Sequence, residues 1–213
     1  MQPLEGQYCT MFIVRHGETD FNVQKKMQGR LDIPLNATGH QQAKKLATRF
    51  ADLYLDAIYS SDLIRARETA ATVAKMKKLE IKLSELLRER NFGEAEGRSL
   101  VEDEELKKLL DAFGTLSPDT QWHSRLVSDS ETNAEIVGRT FTYIRALALQ
   151  HLGQHVLIVT HGGVMMTLLS HLGYVPKEKA LFGVLTNTAI AELQSDGVNF
   201  TVKRVDGLSF RKP

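Results

Sequence analysis

Two short stretches of this chain carry residue types suited to handling an anion. Arg15-His16-Gly17 follows the apolar run at residues 9–14, and His161-Gly162-Gly163 follows the apolar run at residues 155–160. A histidine placed directly after a buried strand is held by rigid backbone. Beside it the Arg15 guanidinium offers a bidentate fork to a phosphate, and Gly17 has no Cβ to crowd an approaching ligand. An imidazole next to such an anion can act as a nucleophile. Gly162-Gly163 opens an expected helix, where free backbone N–H groups and the helix dipole attract negative charge. Read by type alone, Arg15-His16 fits a solvated loop and His161 a buried residue in a helix turn.

The elements that must position these residues alternate between short β-rich runs and longer helical ones. Residues 9–14 (CTMFIV), 57–60 (AIYS) and 155–160 (HVLIVT) read as buried strands, and residues 81–87 as an edge-like strand interrupted by charge. With Thr38 as N-cap, Ala43, Leu46, Ala47, Phe50 and Leu53 recur at helical spacing. Leu63, Ala66, Ala70, Val73 and Ala74 form the inward stripe of a second helix, with Arg65 in its first turn. Ile136, Thr140, Tyr143, Ile144 and Leu147 predict a long helix over 133–151. Strands over 189–194 and 200–205 meet at the turn Ser195-Asp196-Gly197. This order implies a single domain over residues 1–213, a three-layer α/β/α sandwich with a mostly parallel central sheet. Ligands of such sheets bind beyond the carboxyl ends of the strands, so both histidine clusters are expected to face one crevice.

Composition narrows the partners. The 27 Lys and Arg nearly balance the 26 Asp and Glu, which argues against nucleic acid or a membrane surface as a target and makes any anion site local. The single cysteine, Cys9, excludes an intramolecular disulfide and a multi-cysteine metal cluster. No apolar run reaches the roughly 18 residues of a spanning helix, and residues 1–8 lack the blocks of a signal peptide, so a cytoplasmic location is expected.

Four stretches, in order, resemble the histidine phosphatase superfamily, the phosphoglycerate mutase-like enzymes. They are Val14-Arg15-His16-Gly17-Glu18-Thr19 with Asn22 and Gln28-Gly29; Ser60-Ser61-Asp62-Leu63-Ile64-Arg65-Ala66 with Glu68-Thr69-Ala70; Leu87-Arg88-Glu89-Arg90-Asn91-Phe92-Gly93 with Glu96-Gly97; and Val159-Thr160-His161-Gly162-Gly163. Asn187-Thr188-Ala189 also fits. The resemblance implies a phosphoglycerate mutase-like fold and a metal-independent phosphomonoesterase that needs no cofactor and acts on a small phosphorylated metabolite. It implies that His16 is the nucleophile and forms a phosphohistidine. Arg15, Asn22, Arg65, His161 and Gly162 would bind the phosphoryl oxygens, and Glu89 would protonate the leaving group. Two arginines and a histidine can supply the charge stabilisation that a metal provides elsewhere.

Several readings stay open. Glu89 stands between Arg88 and Arg90, so a salt-bridged loop competes with the acid role, and Glu94 and Glu96 are nearby rivals. Thr19 and Asn187 fit caps or turns as well as substrate contacts, and Glu18 is expected to support the site from behind. Asp129-Ser130-Glu131 departs from the family's Gly-Glu-Ser, so no role is carried to Glu131. Residues 99–128 are expected to form a substrate-capping insertion, in which Phe113, Trp122 and His123 touch the organic moiety or form a satellite apolar cluster. The shortness of this stretch favours a phosphatase over a phosphoglycerate mutase. A catalytically inactive binding module of the same fold has no need of His16, Arg15, Arg65, Glu89 and His161 together. An edge strand could support a homodimer.

Overall fold

The computed structural model describes residues 8–181 and 183–211. Its centre is a six-stranded sheet made of β1 (Cys9–Arg15), β2 (Ala57–Ser61), β3 (Ile81–Ser84), β4 (His155–Thr160), β5 (Gly183–Ser195) and β6 (Phe200–Phe210), in the order β3-β2-β4-β1-β5-β6. The first four strands run parallel to one another, and β5 and β6 pair antiparallel. The helices are α1 (Asp20–Val23), α2 (Ala37–Arg49), α3 (Ile64–Lys77), α4 (Glu104–Gly114), α5 (Pro118–His123), α6 (Asn133–Gln150), α7 (Gly162–His171) and α8 (Lys177–Ala180).

The period of two along the central strands builds the three layers. On β1, Cys9, Met11 and Ile13 join the core under α6 and α7, while Phe12 and Val14 join the core under α2 and α3. On β4, Val156 and Ile158 face the first layer, and Leu157 and Val159 the second. With both faces covered, these strands are apolar over residues 11–14 and 156–159, and the polar residues that follow, Arg15 and Thr160, fall at the carboxyl edge of the sheet.

Four expected boundaries move. Helix α2 is capped by Asn36, whose side chain accepts from Gly39 N at 2.8 Å, and not by Thr38. The expected strand over 81–87 stops at Ser84 and continues as a 3₁₀ turn, Glu85–Leu87, which buries Leu87. Strands β5 and β6 run well beyond the expected 189–194 and 200–205. Positive φ angles at Thr188 and Gly207, with a register shift between Leu185 and Ile190, break the alternation that sequence periodicity relies on. Residues 99–128 fold largely as α4 and α5, with Leu106 buried in a small separate cluster beside Met27, Ala95 and Val127.

Candidate active site

Strands β1 and β4 are parallel neighbours in a register that pairs Arg15 with Thr160. His16 N extends this ladder by donating to Thr160 O at 3.0 Å. The residues that follow the two strands, His16 and His161, are therefore side by side, with ring centroids 5.2 Å apart and both side chains buried. The carbonyl of His16 is held from the other side by Asn187 Nδ2 at 3.2 Å and Thr188 N at 3.3 Å. Two strands and a bulge thus fix one residue.

His16 Nδ1 lies 2.6 Å from Gly17 O. A carbonyl oxygen can only accept, so Nδ1 carries the hydrogen and the lone pair belongs to Nε2. Burial, then the nearby charges of Arg65 and Arg15, hold the His16 imidazole well below its ordinary 6.5, which keeps it neutral. His161 is shifted in the same direction, by burial first and by Arg65 and His16 after it.

The cations are anchored by part of their donors only. Arg65, fully buried at the start of α3, gives Nη1 to Leu31 O and Nη2 to Gly29 O, both at 2.7 Å. Burial brings its guanidinium down to about 10, so it remains charged at neutral pH. Arg15 gives Nη1 to Leu185 O. Burial lowers it as well, with Glu89 opposing. Arg15 Nε, Arg65 Nε and both ring nitrogens of His161 are buried without a hydrogen-bond partner among the described residues. Buried donors left in this way are costly, and the oxygens of a phosphoryl group are acceptors of matching chemistry.

Glu89 is nine-tenths buried and, among the described residues, forms no ion pair with the guanidinium of Arg88 or Arg90. Arg88 bonds Asp62 (Nε to Oδ1, 2.8 Å), and Arg90 donates to Glu131 O and Asn133 Oδ1. Glu89 Oε1 accepts from Arg90 N (2.8 Å) and Val164 N (3.2 Å), and Oε2 from Gly163 N (3.0 Å). Oε1 thus accepts two hydrogen bonds and Oε2 one. Two expectations are corrected here. Of the N–H groups that open α7, the Glu89 carboxyl occupies those of Gly163 and Val164, so only that of Gly162 is left for a substrate anion. The paired glycines admit charged side chains: a Cβ on Gly163 would stand 2.6 Å from Glu89 Oε1, and one on Gly162 would stand 3.1 Å from Arg15 Nε. Gly17 is likewise needed for a reason other than ligand approach, since a Cβ there would lie 2.7 Å from Gly39 O.

Asn22 Oδ1 is taken by Thr19 N and Asn187 Nδ2, which leaves its NH₂ as the group with donors to offer. Thr19 caps α1, and Glu18 accepts from Asn36 Nδ2 at 3.0 Å, behind the site. Glu96 caps the backbone of Arg30 and Phe92, and Glu94 is exposed, so neither rivals Glu89. Sequence reading placed Thr69 in the second arginine motif but gave it no role; it accepts from Gly17 N and donates to Arg65 O, and so ties the two motifs together. Sequence reading also missed Glu131, whose carboxylate binds Arg139 and Asn91 N while Arg139 donates to Glu89 O. No spacing in the sequence announces either link.

Arg15, Glu89, Gly162 and Gly163 form one end of a cavity of about 440 Å³. Phe113 and Trp122 line it farther out, whereas His123 is exposed and does not. Among the described residues no group of three or more His, Cys, Asp or Glu could hold a metal ion, and no helix is long and apolar enough to cross a membrane.

Residues 11–206 match the sequence model of the histidine phosphatase superfamily (branch 1). The chain is 33% identical to phosphoglycerate mutase-like protein 4 of Arabidopsis thaliana, over 92% of this chain and 84% of that one. It is 34% identical to the Bacillus subtilis protein called uncharacterized phosphatase PhoE, over 75% of each. A solved phosphoserine phosphatase of Entamoeba histolytica, in complex with 3-phosphoglyceric acid, matches with TM-score 0.77 and 27% identity, over 93% of this chain and 96% of that one.

Proposed function

Because this chain belongs to the histidine phosphatase superfamily (branch 1) and is a phosphoric monoester hydrolase, we propose that it hydrolyses a small phosphorylated metabolite through a phosphohistidine on His16. The observation that carries this reading is the buried imidazole whose Nδ1–H is committed to Gly17 O, leaving Nε2 as the nucleophile within the influence of the Arg15 and Arg65 charges.

In the first step Nε2 attacks phosphorus, the bond from phosphorus to the ester oxygen breaks, and Glu89 gives its proton to that oxygen. The Nδ1–H bond to Gly17 O stabilises the positive charge that develops on the ring. Arg15, Arg65, His161, Asn22 and the N–H of Gly162 meet the three equatorial oxygens. In the second step water attacks the phosphohistidine, Glu89 takes its proton back, and the phosphorus–nitrogen bond breaks to release phosphate and neutral His16. No charge is asked of a metal. Residues 99–128 roof the crevice and contact the organic moiety through Phe113 and Trp122.

A rapid quench at neutral or alkaline pH, with EDTA present throughout, tests the scheme. Mass spectrometry should find the phosphoryl group on the peptide containing His16, and His16→Ala should abolish turnover. Loss of activity to EDTA with recovery on adding Mg²⁺ or Zn²⁺, or full turnover by His16→Ala, would overturn it.

A further inference from the structure

The cavity does not end at the phosphate. At about 440 Å³ it lies within the range of roughly 300–1,000 Å³ that holds drug-sized ligands. Its outer walls are mostly carbon, supplied by residues such as Phe92, Leu110, Phe113, Trp122, Leu126 and Met166.

Most of the polar atoms among these walls are bonded to the protein itself. Arg90 donates to Glu131 O and to Asn133 Oδ1, and Asn133 Oδ1 also accepts from Thr167 Oγ1 at 3.2 Å. Gln121 Nε2 spends its hydrogens on the carbonyls of Phe113, Gly114 and Leu116. Lys177 Nζ bonds Asp119 at 2.8 Å and sits 5.1 Å from the Trp122 ring centroid. Arg211 lines only the exposed rim. A second carboxylate or a row of hydroxyls entering this space would give up its water for the few groups left over, chiefly Asn133 Nδ2 and Gln121 Oε1, at a cost. Carbon surface would exchange water for rings.

From this contrast we propose that the physiological ester carries a bulky apolar leaving group, seated against Phe92, Phe113 and Trp122 while its phosphoryl group lies between Arg15 and His161. The proposal rests on the phosphatase reading above and narrows its substrate class to phosphate monoesters of hydrophobic alcohols.

A series of n-alkyl phosphates, ethyl, butyl and hexyl, tests it. The leaving oxygens along the series are nearly alike in basicity, so kcat/KM reports contact with the walls and not ease of departure. Each methylene should raise kcat/KM about threefold to fourfold, or about a hundredfold from ethyl to hexyl. Hexyl phosphate should outrun 3-phosphoglycerate, and Phe113→Ala and Trp122→Ala should each flatten the series. Calorimetry with ethyl- and hexylphosphonate, which cannot be hydrolysed, measures the same wall without turnover and covers the case of a variant that fails to fold. Tighter binding of hexylphosphonate supports the apolar seat even if no ester is turned over, an outcome that would sink the phosphatase reading alone. A flat series in both assays, or preference for 3-phosphoglycerate, overturns the apolar seat and leaves the phosphatase reading standing.

Discussion

His16 and His161 extend from strands whose side chains feed both layers of the main core, and their neighbours are fixed by backbone bonds on several sides. Phe113 and Trp122 stand on α4 and α5, and α4 buries Leu106 in a small separate cluster with Met27, Ala95 and Val127. In the function proposed above, one cavity joins a phosphate cradle, which it reaches at Arg15, Glu89 and Gly162, to a chamber whose roof has a modest core of its own. The division suits the two tasks. Phosphoryl transfer loses rate steeply when reacting atoms are misplaced by an ångström, whereas apolar contact is non-directional and tolerates adjustment. Regions with few buried contacts also open at lower free energy than the core.

The strongest test of this division acts on the chemistry of the cradle. An alkyl phosphate departs as a strongly basic alkoxide, so Glu89→Gln should lower its hydrolysis about 10²–10⁴-fold. p-Nitrophenyl phosphate, whose leaving group needs no proton, should be far less affected. Equal losses in kcat/KM on the two substrates, with the variant shown to be folded, would mean that Glu89 serves only to cap α7 through Gly163 and Val164.

A smaller effect follows from the neutral histidines. His16 and His161 are held below 6.5 in the fold but regain that ordinary value when unfolded, so below pH 6.5 the unfolded chain binds more protons. Stability is therefore complete above pH 6.5 and falls as pH drops from there toward the folded values, by up to about 1.4 kcal/mol per pH unit for each histidine. His171, lowered chiefly by burial, adds in the same sense. In the roof, Asp103 and Asp119 are lowered by their partners Arg98 and Lys177, and their share is lost only below the carboxylate value of 3.8. Between pH 6.5 and 4.5 the cradle should thus weaken before the roof does. Urea midpoints at pH 7.5 and 5.5 should differ, and His161→Asn should shrink the difference. An unchanged pH dependence in that variant would show that His161 is not the neutral, buried group described.

The two halves also differ in how far they can be read from sequence. Arg15-His16 and His161 were legible because a buried strand that ends in polar residues places them at the carboxyl edge of the sheet, whatever the rest of the chain does. Arg65 was legible from its place in the first turn of a helix after a strand. The purpose of the glycines was not, because Gly17 answers to Gly39 and Gly163 to Glu89, partners 22 and 74 residues away that meet only through tertiary packing. The long arms of β5 and β6 were hidden by Thr188 and Gly207, whose positive φ interrupts the alternation. In the roof, Phe113 and Trp122 are residue types that serve equally in a core or against a ligand, and only the course of the cavity separates them from the exposed His123.

The smallest expected effect on chemistry, and the most direct test of independence, comes from Leu106→Ala. Leu106 is fully buried in the roof's cluster, and removing its side chain deletes contacts worth about 2–5 kcal/mol where the surroundings relax only in part. If the roof opens by itself, that loss is charged to local opening. Amide exchange along Glu104–Gly114 should quicken, while exchange in β1 and β4 and the global urea midpoint change little. Because no hydrogen bond joins His16, Arg65 or His161 to α4 among the described residues, kcat for p-nitrophenyl phosphate should stay within a few-fold of the parent, and KM should rise most for esters long enough to reach Phe113. If the global midpoint falls by the whole amount and kcat collapses on every substrate alike, roof and cradle unfold as one unit, and the crevice has a single core with no division of labour within it.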